Sequence, residues 1–257
     1  MFHIKNITAV GVALVILLTA TVVFAQNNDS AQSAPSPKKQ SKKQVPAPTK
    51  VSAPTPPIVS LEAATDDSAE AVKQRIGTGN PSAGKLKSEL CQGCHGEDGN
   101  SPSSMIPNLA GQYAKYIVKQ IRNFQAGIRT HQIMSAIATT INDDDLVDIA
   151  SYFASRTKMK GDGSVGNTVG KNLFLNGDMT RMIVGCVNCH GENGRGKTPR
   201  NPVFPVIGGQ QNEYVRGQLA NFRGGDRANS PGGVMNIIAQ KMTDAELDAL
   251  ADYVSRL

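Results

Sequence analysis

Cys91-Gln92-Gly93-Cys94-His95, which recurs as Cys186-Val187-Asn188-Cys189-His190, uses all four cysteines of the 257-residue chain. C-x-x-C-H is the pattern of covalent haem attachment. Two thiols three positions apart lie on one side of a helical turn, where they can add to the two vinyl groups of one porphyrin. The next histidine then offers its imidazole to the iron as proximal ligand. Other uses fit poorly. The two pairs start 95 positions apart, far beyond zinc-ribbon spacing. A thioredoxin-like redox pair needs a βαβ context that the flanking sequence lacks, and paired disulfides leave both histidines unexplained. The chain therefore reads as holding two c-type haems through Cys91, Cys94, Cys186 and Cys189, with His95 and His190 on the irons.

Outward from these motifs the sequence repeats. Pro107-Asn108-Leu109-Ala110-Gly111-Gln112 follows the first, and Pro205-Val206-Ile207-Gly208-Gly209-Gln210 follows the second. Counted from each proline, the copies match at Tyr116/Tyr214, Gln120/Gln218, Phe124/Phe222, Gly127/Gly225 and Arg129/Arg227. A methionine then comes in each, Met134 and Met235, with three extra residues in the second copy. Apolar spacing over Tyr113, Ile117, Ile121 and Phe124 predicts a helix, and Thr243-Asp244-Ala245-Glu246 is a capping box opening another. Asn142 with Asp143, Asp144 and Asp145 opens its counterpart; these acids suit a helix N-terminus better than a metal site. The fold expected is all-α, in two similar halves.

The repeat nominates Met134 and Met235 as the second axial ligands, which would close both irons to substrate. Met105, Met159, Met179, Met182 and Met242 have no methionine partner in the other copy and read as core filler. His131 is matched by Asn229 and reads as a surface residue. The main-chain oxygens of Pro107 and Pro205 are candidate acceptors for the ligand histidines' other N–H. Arg129 and Arg227 either pair with haem propionates or are solvated arginines in a turn.

Aromatics are 5% of the chain and tryptophan is absent, so each half has a thin core that a buried haem would complete. The formal charge is +6, but residues 1–60 hold six lysines and one aspartate, a net of +5, which leaves +1 for the rest. The basic balance belongs to the tail and is no sign of nucleic-acid binding. Residues 1–25 read as a secretory signal: Lys5, an uncharged run from Ile7 to Phe24, and Val23-Phe24-Ala25 before Gln26. The same run, about 18 residues, is at the lower limit of a membrane anchor. Residues 26–79 alternate proline and lysine among small polar residues and read as a disordered linker, solvated or a tether of roughly 100 Å if extended.

Two nucleotide-like strings are loops. Gly191-Glu192-Asn193-Gly194-Arg195-Gly196-Lys197-Thr198 has P-loop spacing, but a haem motif precedes it and Pro199 and Pro202 follow. Gly161-Asp162-Gly163-Ser164-Val165-Gly166 follows a predicted helix rather than a strand and reads as the connection between halves.

Tandem C-x-x-C-H motifs, the P-x-L-x-G-Q loop, the F-x-x-G-x-R stretch and the matched methionines make residues 80–257 resemble the dihaem cytochromes c of the cytochrome c4 type. The resemblance implies two class I cytochrome c domains, 80–158 and 159–257, joined by a short linker with propionates near the interface. It implies a periplasmic electron carrier between a respiratory donor complex and a terminal oxidase, holding two haem c groups with His95/Met134 and His190/Met235 as axial pairs. The Pro/Lys segment departs from the family pattern and leaves both a soluble and a membrane-tethered form open. Alternatives from other classes are a dihaem oxidoreductase, which needs an open iron, and the cytochrome subunit of a membrane dehydrogenase.

Overall fold

The computed structural model describes residues 77–197 and 204–257. The signal or anchor reading of 1–25, nearly all of the 26–79 linker, and Pro199 and Pro202 lie outside these residues. Among the described residues no helix is long and apolar enough to cross a membrane.

The first half comprises α1 (Pro81–Lys87), α2 (Glu89–His95), α3 (Ala114–Gln125), α4 (Gln132–Ala138) and α5 (Asp143–Ser155). The second comprises α6 (Thr168–Leu175), α7 (Val187–His190), α8 (Asn212–Gly224), α9 (Val234–Ala239) and α10 (Asp244–Arg256). The caps are those expected. Asn142 accepts from the Asp145 N–H to start α5, and Thr243 and Glu246 bond reciprocally to start α10. In each half the last helix packs across the first, α5 on α1 and α10 on α6, and also against the long middle helix, α3 or α8.

The crossings are close because a glycine sits at each. A Cβ on Gly84 would overlap the Asp148 carbonyl oxygen, and one on Gly170 would overlap that of Ala249. Each half buries its own apolar cluster. Ile117, Val118, Leu146, Ile149, Ala150, Tyr152 and Phe153 form the first; Leu173, Phe174, Ile183, Met242, Leu247, Leu250 and Val254 form the second. Each Val, Leu, Ile, Phe or Met side chain among them contributes about 1.5–3 kcal/mol when fully buried.

The chain crosses between halves within a few residues. The Met159 N–H bonds to the Ala110 oxygen, whereas the Gly161 N–H bonds to the Leu257 oxygen.

One expectation needs correction. Met159 and Met242 are core residues, but Met105, Met179 and Met182 are more than 60% exposed and fill no core. The fold is mostly helical, as expected, with one two-stranded addition in the second half, where β1 (Gly177–Asp178) pairs antiparallel with β2 (Ile183–Val184). This hairpin takes up a length difference, since seven positions separate Gly84 from Cys91 and sixteen separate Gly170 from Cys186. Arg181 ties it to α10 by pairing with Asp178 and Glu246. Of the two readings left open for Arg227, burial removes the solvated one, since the residue is 6% exposed.

Candidate functional site

Both C-x-x-C-H stretches are helical. Cys91, Cys94 and His95 lie on α2; Cys186 is the N-cap of α7, which carries Cys189 and ends at His190. None of the four cysteines is in a disulfide, which leaves both pairs for thioether bonds.

Both histidines are buried, and both are held in one way. His95 Nδ1 lies 2.8 Å from the Pro107 oxygen and His190 Nδ1 lies 3.0 Å from the Pro205 oxygen. With Nδ1–H donating to a carbonyl, Nε2 is the ring atom left for a metal. Burial pushes both imidazoles below their ordinary pKa, which favours the neutral, ligating form. The proline loops are themselves fixed by matched carbonyls. Gly99 O accepts from the Leu109 and Ala110 N–H groups, and Gly194 O from those of Ile207 and Gly208. Gly194 of the P-loop-like string thus helps to fix the loop that carries the Pro205 carbonyl.

Met134 and Met235 occupy the first turns of α4 and α9, which pack on α3 and α8. Both are half-buried. Each main-chain N–H is capped from upstream, that of Met134 by His131 Nδ1 at 3.3 Å and that of Met235 by Ser230 Oγ at 3.1 Å. His131 is exposed, as expected, but has this capping task.

The repeated residues Tyr116, Gln120 and Arg129 meet their counterparts Tyr214, Gln218 and Arg227 between the halves. The Arg129 Nη1–H donates to Gln120 Oε1 at 2.7 Å, and its Nη2–H reaches Gln218 Oε1 at 2.8 Å and the Tyr214 hydroxyl at 3.1 Å. Arg227 mirrors it, with Gln218 at 2.7 Å, Gln120 at 3.4 Å and the Tyr116 hydroxyl at 3.0 Å. Their main chains form an antiparallel bridge. Contacts of i with j′ and j with i′ are those of a two-fold interface, here within one chain. Lys119 joins from the first half, its Nζ 2.7 Å from the Asn229 oxygen.

Among the described residues these three cations have no carboxylate partner. Burial, then Arg227 and Arg129, push the Lys119 amine down. Burial alone would push the Tyr214 phenol up, but the two guanidiniums outweigh it and hold the phenol low. Such a cluster accommodates an anion.

Thiol pairs on single helical turns, histidines committed at Nδ1, and unmatched cations together fit a porphyrin with carboxylate arms. Sequence reasoning finds Tyr116, Gln120, Tyr214 and Gln218 as repeats but assigns them no role, because reciprocity between halves has no local signal, and it misses Lys119, whose counterpart is Gly217.

Residues 169–257 match the family described as "Cytochrome c", and residues 81–153 match "Cytochrome C oxidase, cbb3-type, subunit III". Over 182 residues the chain is 38% identical to cytochrome c4 of Pseudomonas aeruginosa, spanning 70% of this chain and 89% of that one. It is 32% identical to the thiosulfate dehydrogenase electron acceptor of Stutzerimonas stutzeri, over 78% and 90% of the two chains. A crystal structure of reduced cytochrome c4 from Pseudomonas stutzeri superposes with a TM-score of 0.65 at 34% identity, covering 70% of this chain and 99% of that one. The chain belongs to the cytochrome c4 family, with two cytochrome c domains and two covalent haem c groups, and is an electron-transfer protein.

Proposed function

We propose that this protein is a periplasmic carrier that moves electrons through two six-coordinate haems and has no catalytic step of its own. Cys91 and Cys94 would attach one haem, with His95 and Met134 on its iron. Cys186 and Cys189 would attach the other, with His190 and Met235. Residues 80–158 and 159–257 would be the two domains, preceded by the signal or anchor and the linker. When bound, a haem supplies a one-electron Fe(III)/Fe(II) couple. The chain's part is to hold the histidine neutral and oriented, to bring a thioether to the opposite face, and to neutralise propionates with Lys119, Arg129 and Arg227.

The observation carrying this reading is the duplication of the whole ligand arrangement, with the Nδ1–carbonyl bond and the capped methionine present in both halves. An enzyme would need at least one open iron, whereas a methionine on each iron would close both. Carbon monoxide added to the reduced holoprotein tests it. No change in the absorption of either haem is expected; stoichiometric binding at one would replace the carrier with an enzyme.

A terminal oxidase is one electron sink that suits such a carrier. A second reading concerns the donor. Relatives named as electron acceptors of thiosulfate dehydrogenase, at 32% and 31% identity, favour a sulfur-compound dehydrogenase as the source.

A further inference from the structure

The carbonyls that hold the two histidines are themselves held from the opposite domain. Pro107 C=O, which accepts from His95, belongs to the same peptide unit as the Asn108 N–H. That N–H donates to Gln210 Oε1 at 2.7 Å, and Gln210 Nε2–H donates back to the Asn108 oxygen at 3.0 Å. The mirror arrangement is present too. Pro205 C=O, which accepts from His190, shares its peptide unit with the Val206 N–H, and this donates to Gln112 Oε1 at 3.0 Å. Gln112 Nε2–H returns to the Val206 oxygen at 2.8 Å. Each side-chain amide thus pairs with the main chain as a neighbouring strand would. Both glutamines are 5% exposed, so water offers little competition. The orientation of each amide is determined, because each Oε1 also accepts the N–H of the next residue, Gln211 at 2.9 Å and Tyr113 at 3.1 Å. Only the oxygen end can take two N–H donors.

A peptide whose N–H is hydrogen-bonded becomes more polarised, and its carbonyl becomes a better acceptor. A better acceptor on Nδ1–H makes the imidazole a stronger donor to iron, which favours the ferric state and lowers the potential. We propose that Gln112 and Gln210 are crossed positioning residues, each strengthening from its own domain the hydrogen bond that holds the proximal histidine of the other domain's haem. This rests on His95 and His190 being the haem ligands. Neither glutamine touches a haem-binding residue of its own domain through these bonds, so the sense of the crossing is a sharp expectation. The arrangement would make each haem's potential depend on the docking of the other domain.

The test uses the holoprotein with Gln210→Met and Gln112→Met, which keep the side chain's length and remove the amide. In the reduced, diamagnetic protein, the sequence-specifically assigned Nδ1–H resonances report the strength of each histidine's hydrogen bond. An NMR-followed redox titration reports the two haems separately. Gln210→Met should move the His95 Nδ1–H upfield and leave that of His190 in place. It should also shift the distribution of an electron between the haems roughly 3–10-fold toward the His95 haem. Gln112→Met should do the reverse. Gln210→Glu keeps the acceptor oxygen and adds charge, so it should move the His95 resonance the other way, and it decides between the outcomes should the methionine variant not assemble. Changes confined to the haem of the mutated residue's own domain, or unmoved Nδ1–H resonances in folded variants, overturn the crossed clamp. Absence of haem ring-current shifts on the His95 ring would overturn the ligand assignment itself, an outcome told apart because failure of the clamp alone retains them.

Discussion

Arg181 shows how much a single side chain can settle. It stands on the hairpin that only the second domain has, and it donates to Asp178 on one side and Glu246 on the other. Glu246 is also the N3 carboxylate of the capping box that opens α10, so one ion pair joins the insertion to the helix whose inner face is core. The Arg181 guanidinium holds the Glu246 carboxyl at about 2, far below its ordinary 4.5. The Thr180 hydroxyl, and then Arg181, hold Asp178 at about 2 as well. Depressed carboxylate pKa values mean that the unfolded chain takes up protons first as the solution is acidified. The stabilisation is therefore complete above about pH 4.5 and lost as pH falls from there toward 2. Urea unfolding at pH 6 and pH 3 should show a steep loss for the native protein and a shallower one for Arg181→Met. Equal slopes would leave the pair without energetic weight.

Among the elements, the crossing of the first and last helix in each domain is the most exacting contact. Helix axes approach closely only where side chains are small, and Gly84 and Gly170 occupy corresponding positions against Asp148 and Ala249. The neighbouring atom is in each case a main-chain carbonyl oxygen of the last helix, which cannot rotate away as a side chain could. Gly170→Ala would force α6 off α10 despite alanine's better helix propensity. We expect a loss of about 1–3 kcal/mol, the usual cost of overpacking a core, read as a lower thermal or urea midpoint with both haems still attached. A neutral or stabilised variant would show that the helices slide freely. The crossing has no signature in the sequence, since a glycine three residues into a short helix reads locally as a mild defect. Its meaning comes from the opposing helix, some sixty to eighty residues away.

Across the whole molecule, the domain interface is built from repeated polar residues rather than from a shared apolar core. Gln120 and Gln218 each serve both arginines, so four guanidinium hydrogen bonds, joined by one from Asn229, converge on two side-chain oxygens. Replacing both glutamines by alanine would leave two largely buried guanidiniums short of acceptors, each at a cost of roughly 1–3 kcal/mol. Because the loss falls on the contact between domains, calorimetry should show one unfolding transition of the native protein resolving into two. A single transition at the native temperature would mean that the proline–glutamine loops alone couple the halves.

The sequence by itself determined the haem motifs, the duplication, the helix starts at Asn142 and Thr243, and the family, because each rests on residues close together in the chain. Attachment chemistry needs two thiols and a histidine within five positions, and capping needs a side chain three positions from an N–H. The same local reach explains where it fell short. Met105, Met179 and Met182 lack repeat partners yet are exposed, since burial depends on what packs above a residue and not on its type. Arg129 and Arg227 could be read as solvated or paired, and Gln112 and Gln210 were visible only as recurring letters. Their partners lie 89 to 111 residues away in the other domain. Only the folded chain decided that a glutamine of one domain braces the peptide holding the other domain's histidine, because that contact exists only once the two halves are packed together.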